Sequence, residues 1–113
     1  MNVYCTFYIH GDSVKNIISV LEQAFGASKK QTGLYVFPHF DIYLDENEEA
    51  DANKMRTYPD GFLYYEFRAE TEIYDQFIPV TDAIMKSLWE HQMPVVVSCD
   101  YEEELNRYIF SLS

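Results

Sequence analysis

Three histidines, two cysteines and 19 acidic side chains are the groups in this 113-residue chain that could bind a metal, attack a substrate or hold a cation. Their spacing argues against the first two. His10, His39 and His91 stand at the ends of different predicted elements and lack paired metal-ligand spacing. Cys99, followed by Asp100, would be a nucleophile only with a histidine close enough to lower its pKa. His10 belongs to the far end of the first strand, whereas antiparallel pairing brings Cys99 near Cys5. Two cysteines so placed are expected to be reduced core thiols. The run Asp45, Glu46, Glu48, Glu49 and Asp51 has the acid density of a calcium loop, but Ala50 stands where an EF-hand needs Gly and Arg56 where it needs the bidentate Glu. Gly-rich phosphate loops, Gly-x-Ser-x-Gly elbows and His-Glu-x-x-His pairs are missing from the sequence. No catalytic, cofactor-binding or metal-binding residue is expected, and the chain reads as non-enzymatic.

The acidic groups act instead through charge. Eight basic residues leave a formal charge of −11, which repels phosphate backbones and anionic lipid, so nucleic acid and membrane are not expected partners. A bland account is that acidity keeps the protein soluble, and a charge run is usually a solvated loop. The sharper account is that Glu46, Glu48, Glu49 and Asp51, with Asp100, Glu102, Glu103 and Glu104, steer a basic protein partner. Ten Tyr and eight Phe add an unusual aromatic content. The N-terminal residues show no signal-peptide pattern, and no apolar run approaches the ~20 residues of a membrane helix, so a cytoplasmic location is expected.

Positioning falls to one domain spanning residues 1–113. Val3, Cys5, Phe7 and Ile9 alternate with Tyr4, Thr6, Tyr8 and His10 as a half-buried strand. After Asp12 and Ser13, either able to cap, Val14, Ile17, Ile18, Leu21, Ala24 and Phe25 recur at helical spacing up to Gly26. A polar linker, 27–32, leads to one extended stretch over 34–44, interrupted by Pro38-His39 and therefore placed at a sheet edge. The acidic loop follows. Pro59-Asp60-Gly61 then opens a central strand in which Leu63, Tyr65, Phe67 and Ala69 alternate with Phe62, Tyr64, Glu66 and Arg68. A second helix begins between Tyr74 and Ile78, with Pro79 in its first turn, and ends near His91-Gln92 ahead of a short strand over 95–98. Asp100 to Leu105 fits one further helical turn. The order βαβ, βαβ predicts an α+β, ferredoxin-like (split βαβ) fold, a four-stranded antiparallel sheet with two helices on one face.

Alternation then sorts function from packing. One set of side chains meets the helices, while Tyr4, Tyr8, Phe62, Tyr64 and Arg68 emerge on the open face, with Tyr35 or Tyr43 extending the patch. A contiguous aromatic patch on a sheet face marks a contact surface. RNA-stacking sheets surround such rings with basic residues, and this chain does not. Coverage by the tail 106–113, homodimerisation, or a protein partner are the open readings.

The segments Tyr58-Pro59-Asp60-Gly61-Phe62-Leu63-Tyr64-Tyr65, Leu88-Trp89-Glu90 and Cys99-Asp100-Tyr101-Glu102-Glu103-Glu104-Leu105 resemble a family of small acidic bacterial proteins. The resemblance covers about the C-terminal half; it implies the element order and supplies no activity. In type alone, the chain is similar to bacterial toxin-immunity proteins. The leading expectation is a non-enzymatic, immunity-type interaction module that finds a basic partner with its acidic segments and contacts it with the aromatic face. A small-molecule pocket between the sheet and the 45–60 loop, with or without catalysis, is the second expectation, and a homodimeric accessory subunit the third.

Overall fold

A computed structural model describes residues 2–56 and 61–99. Strand β1 (Val3–Ile9) leads into helix α1 (Val14–Phe25), then β2 (Lys29–Gln31), β3 (Leu34–Val36), β4 (Phe40–Glu46), β5 (Phe67–Ile73), helix α2 (Phe77–Glu90) and β6 (Val95–Cys99). The sheet is antiparallel and runs β2-β3-β4-β5-β1-β6. Six strands overturn the expected four-stranded ferredoxin-like sheet.

The two extra strands come from the region read as a linker and one interrupted edge strand. Thr32 and Gly33 both have positive φ, 47° and 83°, the signature of a two-residue type I′ turn, which folds Lys29–Gln31 back onto Leu34–Val36. Pro38-His39 is likewise a reversal and not a bend, because Phe37 N–H reaches Phe40 O at 2.8 Å and closes a second hairpin. Lys29, Lys30 and Gln31 are all exposed, so no burial pattern marked them as a strand.

Helix α1 starts and stops where expected. The Ser13 hydroxyl accepts from Asn16 N–H at 3.1 Å, and Gly26, at φ 94°, closes the C-terminus through a 2.8 Å bond to Glu22 O. The Glu22 carboxylate accepts from both the amide and the hydroxyl of Ser28, and these bonds hold its pKa below the ordinary carboxylate value. Helix α2 carries Pro79 as its third residue, where a missing N–H costs nothing. Both helices pack on each other and on the inner sheet face, enclosing Phe7, Ile9, Ile17, Leu21, Ile84 and Leu88, among others. Phe25, Phe37 and Phe40 form an aromatic cluster that fastens the end of α1 to the added hairpin, with Phe37 and Phe40 stacked at 4.7 Å.

The expected closeness of Cys5 and Cys99 is present as a direct cross-strand register, with Cys5 buried and Cys99 half-buried. At the β6 edge, the exposed Trp89 swings its indole Nε1 onto Val95 O at 3.2 Å.

Thr71 is 2% exposed, and its hydroxyl has no hydrogen-bond partner among the described residues. It lies on the helix-facing side of β5, opposite Cys5 and Ile42. Thr71→Val keeps the shape and removes an unsatisfied donor, so it should stabilise the fold by about 1 kcal/mol. Urea denaturation checks this; a loss of stability would show that the hydroxyl is satisfied.

Candidate functional site

The predicted central strand begins five residues late. Gly61–Tyr64 is a 3-10 turn, and β5 starts at Phe67, so Leu63 and Tyr65 are not helix-facing strand residues and Phe62 and Tyr64 are not open-face strand residues. The alternation of aromatics is real, but it lies on a turn fixed by close packing. A Cβ on Gly61 would sit 2.3 Å from the backbone oxygen of Met55, in the preceding 3-10 turn Lys54–Arg56. Phe67 and Ala69 are buried and Arg68 is exposed, as alternation requires.

With that shift, the open face of β1, β4 and β5 is read off the register. Tyr4, Thr6 and Tyr8 lie beside Glu72, Glu70 and Arg68, which lie in turn beside Asp41, Tyr43 and Asp45. Arg68 is the single basic group on these three strand faces, and it is engaged: it pairs with Glu70 at 2.9 Å and lies over the Tyr8 ring at 5.8 Å. Tyr4 and Tyr43 are 68% and 45% exposed, large for aromatic side chains in a folded sheet.

The predicted patch is thus only partly assembled. Tyr4, Tyr8 and Arg68 share the open face, and Tyr43 extends it. Phe62 reaches it from the turn, packing edge-on against Tyr8 at 5.4 Å. Tyr64 is half-buried in that turn, under Lys54 at 5.3 Å. Tyr35 pairs with Ile42, and so faces the helices, with Lys30 over its ring. Glu102, Glu103 and the remaining residues of 100–113, and with them the predicted turn at 100–105 and the question of tail coverage, lie outside the described residues.

Next to Glu46 at the end of β4, Glu48 and Glu49 are held close to this face by Asn47. Its buried amide donates to Leu63 O at 2.8 Å and Tyr65 O at 2.9 Å, and its oxygen accepts from Glu49 N–H at 3.2 Å. Asp51 points elsewhere, accepting from the amides of Asn53 and Lys54 as the cap of the 3-10 turn. A depression of about 230 Å³ lies where the loop meets the sheet, lined by Tyr43, Asp45, Glu48, Glu49, Arg68 and Glu70. A second, of about 190 Å³, lies between Tyr4, Leu34 and Tyr43, over Asp41, Glu70 and Glu72.

Sequence reasoning misses Asp41 because its pairing with Glu72 rests on register, and it misses Glu70 and Glu72 because it starts the central strand at Phe62 and carries it only to Ala69. Strict alternation in Phe67-Arg68-Ala69-Glu70-Thr71-Glu72-Ile73 was the signal that could have found them. Their charge is felt nearby. The Tyr4 phenol is pushed above its ordinary pKa first by the charge of Glu72 and then by its 3.3 Å hydrogen bond to it. The Tyr74 phenol is pushed up further, first by burial and then by its approach to Asp41.

At the end of the sheet, Glu66 accepts from Gly11 N–H at 3.1 Å and lies 2.7 Å from His10 Nδ1, while the His10 ring stacks on Tyr65 at 5.4 Å. Cys99 lies beside Cys5 and not beside this histidine. Among the described residues, no group of three or more His, Cys, Asp or Glu could hold a metal ion, and no helix is long and apolar enough to cross a membrane. Comparison with known proteins finds no matching family model, no matching curated protein and no matching solved structure.

Proposed function

We propose that the protein is a non-enzymatic interaction module that binds a basic protein through the open face of its sheet. One observation carries the reading: Tyr4 and Tyr43 stand exposed among Asp41, Asp45, Glu70 and Glu72, on strands whose single basic side chain is already paired. Solvated sheet faces carry mixed charge, whereas rings set in carboxylates suit lysine and arginine by cation–π contact and charge together. A homodimer through the same face would bring carboxylates against carboxylates, which disfavours it. The immunity-type form of this reading makes the partner a basic enzyme held inactive in the complex.

Affinity capture from the source cell at low ionic strength should recover one basic protein, released at roughly 1 M salt, where the Debye length falls to ~3 Å. Amide exchange should place its footprint on β1, β4 and β5. A partner that is acidic, or whose footprint avoids these strands, would sink the proposal.

A further inference from the structure

On the cross-strand register, Asp41 of β4 and Glu72 of β5 are direct partners, and Glu70 stands opposite Tyr43. Like charges directly opposite each other on one sheet face destabilise it. Among the described residues no ion pair joins a cation to either carboxylate: Glu72 accepts from the Asn2 amide at 2.6 Å and from the Tyr4 phenol, and the Tyr74 phenol approaches Asp41. Asp41 Oδ1 is buried and has no hydrogen-bond partner among the described residues. Over these carboxylates lies the 190 Å³ depression, walled by the rings of Tyr4 and Tyr43 and the side of Leu34. Sites for drug-sized ligands run from about 300 Å³ upward, so this one suits a single side chain. Apolar walls and an anionic floor fit a side chain with an aliphatic stem and a cationic head.

We infer that the depression between Tyr4, Leu34 and Tyr43 is a pocket for one lysine or arginine side chain of the partner, its cation seated on Asp41 and Glu72. This deepens the interaction reading and rests on it. The repulsion, eased by these donors but by no cation, then has an explanation: the free protein carries a cost that the ligand's charge removes. Such a pocket ties affinity to instability, so that neutralising it strengthens the fold and weakens binding.

The test uses capped lysine, capped arginine and capped norleucine (each an N-acetyl amino-acid methylamide) titrated into the full chain, followed by amide chemical shifts. Lysine or arginine, and not norleucine, should shift Tyr4, Leu34, Asp41 and Glu72 saturably, and the tighter of the two names the preferred head group. The double variant Asp41→Asn with Glu72→Gln should bind that compound at least tenfold more weakly while melting at a higher temperature than the wild type. Norleucine binding as well as the cations, no saturable shift by either cation, or unchanged binding by the double variant would each overturn the pocket. Partner capture separates the two ideas. If the double variant captures the basic partner as well as the wild type does, the pocket is wrong and the interaction reading stands; if the wild type captures no basic partner while capped lysine still fills the pocket, the interaction reading fails alone.

Discussion

Phe40→Ala should destabilise the protein by about 3–5 kcal/mol, the range for emptying a fully buried aromatic site. Phe40 is wholly buried, lies 4.7 Å from Phe37 in a stacked pair, and receives Phe25 edge-on at 5.0 Å. It opens β4 and simultaneously closes the turn from β3, because its carbonyl accepts from Phe37 N–H. Alanine leaves a cavity beneath this reversal, and β2, exposed throughout, offers no buried side chain to fill it. Equilibrium unfolding in urea measures the loss. A midpoint change equivalent to less than ~1 kcal/mol would mean that the hairpin is held by its turns and not by this cluster.

Asn47→Ala should cost about 2–3 kcal/mol, with a second readout at the candidate site. The side chain answers two backbone carbonyls and one amide in a 9% exposed position, and alanine removes all three bonds at once. Asn47→Asp is the sharper variant, because it turns a donor facing Leu63 O and Tyr65 O into a second acceptor. The aspartate should therefore be worse than the alanine, although its volume is conserved. Amide exchange should quicken around Glu48 and Glu49 in both, since these residues lose the anchor that holds them over the sheet. If the aspartate variant proved more stable than the alanine variant in a melt, the amide could not be donating to the two carbonyls.

Alternation and capping chemistry were legible in the sequence wherever one physical cause dominated. Helix α1 lies between a serine cap and a glycine stop, and Cys5, Phe7 and Ile9 of β1 are buried because one face of that strand meets the helices. Cys5 and Cys99 are neighbours because β1 lies between β5 and β6. Where two causes competed, the reading failed. The aromatics from Phe62 to Tyr65 alternate like a strand, yet Gly61 packs against the backbone at Met55, and tertiary contact decides the conformation. Lys29–Gln31 has no buried face and thus no pattern to read; its strand character comes from its hairpin partner and the Thr32-Gly33 turn. The candidate site suffered from the same shift. Tyr4, Tyr8 and Arg68 follow from period-2 alternation alone, but Asp41, Glu70 and Glu72 meet only through a register that a single sequence does not state.

The bond from the Trp89 indole to the Val95 carbonyl bears on how the protein behaves at high concentration. In the β6–β1 register the odd residues of β6 turn their main-chain groups away from β1, so Val95 O is one that an incoming strand would seek. Trp89 already occupies it, and on the opposite border Lys29 and Lys30 make a charged fringe. Ribbon growth by lateral strand addition is thereby opposed at both borders. Trp89→Ala should leave the face intact yet lower the concentration at which thioflavin-positive fibrils form.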